Sequence, residues 1–340
     1  MRIETPAGGF RRIDVLRLSS LGDVVLTLPV VQALGRAFPA ARLVYWVKQE
    51  YADLVRFDPA VSHVRILERD ARRLEDVVAM GAELEDSDLI VDLHGNLRTR
   101  VLTFRQRAPV LRARSDRLRR ARWVHARWSR PAPGPTLERY AATLAPLGIP
   151  VPAAPRQCAG EEAEAWAERW MEAWKPDRPP LAICPWARHF TKRWPEERWL
   201  SLHERLVGAG EWLLYFSLEA ERRELPSLAE RVARDARAHW CTEPLPRMAA
   251  LLGRCRGAVC CDSGLMHLAA ARGIKVVALF GSTAPELGFA PAGTGHVVLC
   301  RHELCQPCTL HGRRACPKRH FRCMLEIQAE EVAGAAARIG

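Results

Sequence analysis

Several common signatures are missing from this chain, and each absence removes a class of function. No apolar run approaches the roughly 18–20 residues that a bilayer-spanning helix needs. The opening "MRIETPAGGFRRIDVL" has no apolar block followed by a small-residue cleavage site, so no secretory leader is expected. The first strand-to-helix turn, "LSSLGDV", holds one glycine and no G-x-G-x-x-G, and G-x-x-x-x-G-K-[ST] occurs nowhere. A dinucleotide oxidoreductase or a P-loop nucleotidase is therefore poorly supported. There is also no helix-turn-helix pattern, zinc-finger spacing or RNA-binding aromatic signature.

What is present is a chain of 340 residues, 48% hydrophobic, long enough for two domains with real cores. Eleven cysteines without a leader are expected as thiols or ligands in a reducing compartment, with the cytoplasm as the default. The net charge of +12 is concentrated. From Arg98 to Arg130 twelve arginines face one acid, Asp116. Such a stretch suits nucleic acid, an anionic membrane surface or a phosphorylated substrate, or is simply a solvated face.

The first half alternates strand-like "RIDVLRL", "ARLVYWV", "HVRIL" and "DLIVDLHG" with helix-like "DVVLTLPVVQALGRAF" and "DARRLEDVVAMGAELE". Pro29 is expected to kink or distort the first helix. Residues 131–156 hold seven prolines and read as an interdomain connection. A second alternation follows, with strands at "PPLAICPW", "EWLLYFS", "GAVCCD" and "IKVVALFG". Strands alternating with helices imply parallel sheets covered on both faces. The expected architecture is α/β, with a first domain over 1–155 and a second over 156–340. Ligands of such domains bind at the carboxyl ends of the strands, where Asp23, Asp92, Lys192, Asp262 and Gly281 all fall.

Asp23 stands between Gly22 and a long apolar run, either capping the helix that follows or acting as an acid/base group. In "VCCDSGLMHLAAARG" a strand ends at Asp262 and a helix opens with Ser263 and Gly264. The unpaired amides and positive dipole of that helix end welcome an anion, although an ordinary packing turn with Ser263 as cap reads the same way. Gly281, Ser282 and Thr283 add small donors at a neighbouring strand end. In "TKRWPEERW", Lys192 precedes a helix that Pro195 suits, and is either a surface lysine or a cation for a leaving diphosphate. His267, taken singly, reads as a core residue.

Taken together, "RLSSLGDVVLTLPVVQAL", "DLIVDLHGNLRTR", "TKRWPEERW" and "CDSGLMHLAAARGIKVVALFGSTAPE" resemble the bacterial lipopolysaccharide heptosyltransferases, over about residues 12–330. The resemblance implies a GT-B fold, two Rossmann-like domains facing across a cleft. It implies inverting, metal-independent transfer of heptose from ADP-heptose to the lipopolysaccharide inner core, on a Kdo-lipid A or heptosyl-Kdo acceptor. The enzyme would be a monomer, peripheral on the inner leaflet of the inner membrane, with no cofactor and no nucleic-acid partner. The family's catalytic acid matches Asp23 and its phosphate-binding lysine Lys192. Its nucleotide-sugar motif matches Asp262, Ser263, Gly264 and His267, and its ribose-holding acid matches Glu221, with Glu219 as the alternative. Where family members commonly carry a Gly-Ala pair before that lysine, this chain has Trp186. The arginine stretch, placed in the acceptor half, would hold the acceptor or the leaflet.

Two other readings stand beside this one: a GT-B transferase using another nucleotide-sugar, and a non-catalytic basic protein binding RNA or membrane. Near the end of the chain Cys305, Cys308, Cys316 and Cys323 are interleaved with histidines. The first pair suits half of a zinc site, but the second is widely spaced, so thiols are favoured over structural zinc.

Overall fold

The computed structural model describes residues 3, 5–67, 74–126 and 131–339. Arg127 to Arg130, at the end of the arginine stretch, and the start of the helix expected from Asp70 lie outside them. The chain divides into two compact units, Met1–Ser115 with Thr136–Cys158, and Asp116–Pro135 with Ala159–Gly340. The expected split at 155/156 differs from this mainly in one stretch. Asp116–Pro135, and with it part of the arginine-rich run, belongs to the second unit.

In the first unit β1 (Arg12–Leu16), α1 (Leu21–Ala37), β2 (Arg42–Lys48) and β3 (His63–Leu67) are followed by α2 (Leu74–Gly81), β4 (Leu89–Asp92), α3 (Leu97–Leu102) and β5 (Val110–Arg112). Next in the chain, α4 (Arg117–Ala126) belongs to the second unit, and α5 (Thr136–Ala141) returns to the first. The strands form one parallel sheet in the order β3-β2-β1-β4-β5. Its polar-looking central strand is buried throughout from Ile13 to Leu16. Asp14 is tolerated there because Arg12, the Trp46 indole at 2.6 Å and the Ser87 hydroxyl at 2.6 Å all donate to its carboxylate. Helix α1 is apolar on nearly every face and runs continuously through Pro29.

The second unit contains α6 (Glu161–Trp174), β6 (Leu181–Cys184), α7 (Glu196–Gly208), β7 (Leu213–Phe216), α8 (Glu219–Arg222), α9 (Pro226–Ala233) and β8 (Ala238–Cys241). Then come α10 (Leu245–Leu252), β9 (Gly257–Cys261), α11 (Gly264–Ala271), β10 (Lys275–Phe280), β11 (Val297–Cys300), α12 (Arg322–Leu325) and α13 (Ala329–Arg338). The sheet is parallel, in the order β11-β10-β9-β6-β7-β8. Counted within the unit this is the Rossmann order 3-2-1-4-5-6. Both sheets therefore reverse direction beside their first strand, at β1/β4 and at β6/β9. No helix among the described residues is long and apolar enough to cross a membrane.

Candidate active site

At the first reversal point the chain leaves β1 as Arg17-Leu18-Ser19-Ser20 and enters α1, whose first turn carries Asp23. The Asp23 carboxylate is clamped from three directions. Arg17 Nη2 lies 2.7 Å from Oδ2, Ser20 Oγ donates to Oδ2 at 3.0 Å, and Tyr140 on α5 donates to Oδ1 at 2.9 Å. The Asp23 side chain keeps 19% of its surface exposed, so the clamped group still meets solvent. Burial, with Asp23 next to it, raises the Tyr140 pKa, and the phenol stays a donor. Burial works against the Arg17 charge, yet Asp23 together with Tyr140 and Tyr45 outweighs it and holds the guanidinium above its ordinary range. Sequence reasoning missed both partners. Arg17 had a local signal, six residues before the acid, whereas Tyr140 lies 117 residues away.

His94 borders the same place. Its Nδ1 accepts the Leu18 amide at 3.3 Å, and burial together with the Arg17 charge lowers its pKa to about 4. It is neutral at pH 7, with its proton on Nε2. Asp92, expected at a strand end, is fully buried and structural. It accepts the His94 and Gly95 amides at 3.0 and 2.8 Å and Arg112 Nε at 2.7 Å, which shapes a turn with Gly95 at φ +64°. Arg112, Arg114 and Arg139 line a groove of about 560 Å³ in this unit.

The second reversal point brings Lys192 and Asp262 together. Lys192 closes a 3-10 turn after β6, and its Nζ lies 2.7 Å from Asp262 Oδ2 just beyond β9. Thr283 donates to the same oxygen at 2.6 Å, and Ser282 Oγ shares a 2.7 Å hydrogen bond with Thr191. The hydroxyls expected as donors at Ser282 and Thr283 are thus engaged inside the protein, and both residues are buried. Gly281 has a packing reason, since a Cβ there would stand 2.5 Å from the Thr191 carbonyl oxygen. Ser263 is the N-cap of α11, and its Oγ is buried without a hydrogen-bond partner among the described residues, beside Gly264 at the helix start. His267 is buried one turn along α11.

Of the two acids in α8, Glu219 makes surface pairs with Arg222 and Arg223, whereas Glu221 Oε2 accepts the Leu218 amide at 2.8 Å. Burial raises the Glu221 pKa despite that bond. Trp186 packs under the Arg193 guanidinium, 4.1 Å from the ring centre. Cys305, Cys308, Cys316, Cys323 and His320 line a cavity of about 10 Å³, room for about one water. The cysteines are free thiols, and among the described residues no three His, Cys, Asp or Glu side chains stand where they could hold a metal ion.

Part of the arginine run has a structural use. Arg120 on α4 is buried, pairs with Asp116 at 2.9 Å and lies 4.6 Å from the Phe289 ring centre, all within the second unit. The run therefore does not lie wholly in the first unit, as expected from the sequence.

Known proteins resemble this chain in sequence and in fold. The family model of glycosyltransferase family 9 (heptosyltransferase) matches residues 77–318. The chain is 29% identical to lipopolysaccharide heptosyltransferase 1 of Pseudomonas aeruginosa, covering 94% of this chain and 92% of that one. It superposes on a family 9 glycosyl transferase from Veillonella parvula with a TM-score of 0.79 at 19% identity, covering 97% of each chain. It also superposes on the ADP-heptose lipopolysaccharide heptosyltransferase II of Escherichia coli, with a TM-score of 0.71 at 17% identity, covering 96% and 98%. At such identities the two structures establish the fold, which is GT-B. The non-catalytic reading is set aside: the chain is a glycosyltransferase and belongs to glycosyltransferase family 9, the heptosyltransferase family.

Proposed function

We propose that this protein transfers a heptose from ADP-heptose to the lipopolysaccharide inner core, with inversion at the anomeric carbon and with Asp23 as general base. The observation that carries the reading is the Asp23 clamp, an accessible carboxylate held by Arg17, Tyr140 and Ser20 at the reversal point of a parallel sheet. A base in this reaction takes the proton of the acceptor hydroxyl while its oxygen forms a bond to the anomeric carbon. The bond from that carbon to the diphosphate breaks, and ADP departs with the electron pair. Arg17 and Tyr140 orient the carboxylate, and a general base of this kind contributes about 10²–10⁴-fold.

The second unit is assigned the donor. Lys192, the Ser263 hydroxyl and the first-turn amides of α11 take up the charge of the departing diphosphate, a task that other transferases give to a divalent metal. In the free protein Asp262 holds Lys192 in place. Glu221, whose Oε2 holds the Leu218 amide, is assigned a ribose hydroxyl, and His267 on α11 is assigned to the sugar. The arginine-lined groove of the first unit suits an anionic glycolipid acceptor such as Kdo-lipid A. ADP-heptose is favoured over other nucleotide-sugars because the Escherichia coli relative is named for it and the Pseudomonas aeruginosa relative spans almost this whole chain. The enzyme is assigned to the cytoplasmic side of the inner membrane. A thermal-shift screen tests the donor assignment, because a ligand that binds only the native state raises its apparent stability. Adenine nucleotides should stabilise more than uridine or guanine ones, and equal or reversed shifts would reject it.

A further inference from the structure

Among the large apolar side chains described in the first unit, the two most exposed lie on or just after one short helix. Phe104 is 83% exposed and Leu97 is 75% exposed. Positions 97, 100 and 104 follow helical spacing along one side of α3 and its exit, while Thr99, Leu102 and Thr103 are buried on the other. Single exposed apolar residues are ordinary. Two on one stripe with arginines between and after them are not.

From Asn96 to Ser115 the chain has six arginines and no acid. Arg100, Arg105 and Arg107 are exposed, and none of them makes an ion pair or side-chain hydrogen bond among the described residues. Structural use accounts for other members of the run: Arg112 is tied to Asp92 and Arg120 to Asp116. Exposed Leu118 sits on α4 in the other unit and is no part of this stripe.

We infer that the α3 face is a docking surface for an anionic lipid leaflet, with Leu97 and Phe104 entering the acyl boundary and Arg100, Arg105 and Arg107 meeting lipid phosphates. Charge complementarity selects this occupant. A surface with three cations that are unpaired among the described residues, on a segment without an acid, repels a basic surface, and its apolar tips gain nothing from a purely polar one. Helices that lie in a membrane interface combine these two elements, and one element alone gives only marginal binding. The inference deepens the glycolipid-acceptor reading, but the vesicle binding that decides it does not depend on transfer.

The test is co-sedimentation of the full chain with vesicles of phosphatidylcholine, with and without 30% phosphatidylglycerol (about 30% being ample surface charge), over a salt series. Wild type should bind the anionic vesicles at least about tenfold better than the neutral ones. The Leu97→Ser/Phe104→Ser variant should lose about tenfold or more, since both side chains leave the acyl boundary. Each of Arg100→Gln, Arg105→Gln and Arg107→Gln should lose about fivefold, with the loss fading as salt rises. The apolar variant should keep wild-type melting and wild-type transfer to a deacylated, water-soluble acceptor. Unchanged vesicle binding in the apolar variant would overturn the inference, as would wild-type indifference to phosphatidylglycerol. Vesicle binding as expected without transfer from ADP-heptose would leave the docking surface standing and defeat the proposed function instead.

Discussion

Lys192→Met isolates the buried pair at the proposed donor site. Lys192 Nζ and Asp262 Oδ2 are 2.7 Å apart, with 16% and 5% of their side chains exposed. Removing one member of a buried pair costs about 3–5 kcal/mol, because the other charge is left uncompensated. Asp262 keeps the Thr283 hydroxyl at 2.6 Å, so the lower end applies, about 3 kcal/mol. At about 2–4 °C per kcal/mol for a unit of 150–250 residues, the transition of the second unit should fall by about 6–12 °C. Asp262→Asn alone should also destabilise, and the double variant should recover most of the loss, with a coupling of about 2–3 kcal/mol. Calorimetry of the three variants, with the two units' transitions resolved, measures this. ADP titration then separates folding from binding. The refolded double variant should still bind ADP about 10–100-fold more weakly, since a hydrogen bond to a charged group is worth about 1.5–3 kcal/mol. A coupling near zero would refute the buried pair. Wild-type ADP affinity in the double variant would remove Lys192 from the phosphates.

Tyr140→Phe should lower kcat by about tenfold or more while leaving ADP affinity unchanged, because the lost hydroxyl orients Asp23 and not the donor; an unchanged kcat would make that contact incidental. His94 supplies a pH signature. Its folded pKa of about 4 lies below the ordinary 6.5, so between these values the unfolded chain binds a proton that the folded one does not. Its stabilisation is complete above pH 6.5 and is lost as the pH falls through 4, up to about 3 kcal/mol. Denaturant melts from pH 4 to 7 should show a shallower slope in His94→Gln than in wild type, and equal slopes would refute the assignment. Other histidines with lowered pKa, such as His203 and His296, contribute equally to both proteins and cancel in the difference. Transfer should persist in EDTA, and loss in chelator restored by magnesium would show that a metal shares the work given to Lys192.

The central strands were legible in the sequence because each is a buried apolar run between turn signals. The strands missed, β5, β8 and β11, are three or four residues long and lie at sheet edges with one partner each. Their weaker burial leaves a weaker pattern. The candidate acids and Lys192 were legible because a polar residue beside a buried strand end is conspicuous. Tyr140 was not, since an unremarkable "ERY" comes to Asp23 only through the tertiary fold. Ser282 and Thr283 show the converse, donors by type whose hydroxyls the fold uses internally. Net charge was misleading in one respect. The arginine run reads as one patch in one dimension, yet it is shared between two units, and part of it is buried.

Asp23→Asn tests the central claim most directly. Under saturating ADP-heptose and Kdo-lipid A, the rate of heptosylated product formation should fall by about 10²–10⁴-fold, with ADP-heptose affinity within about twofold of wild type, because the base acts on the acceptor alone. An Asn variant that retains more than about a tenth of the wild-type rate would contradict the account, and Asp23 would be left as a helix-terminal residue in an enzyme whose base lies elsewhere.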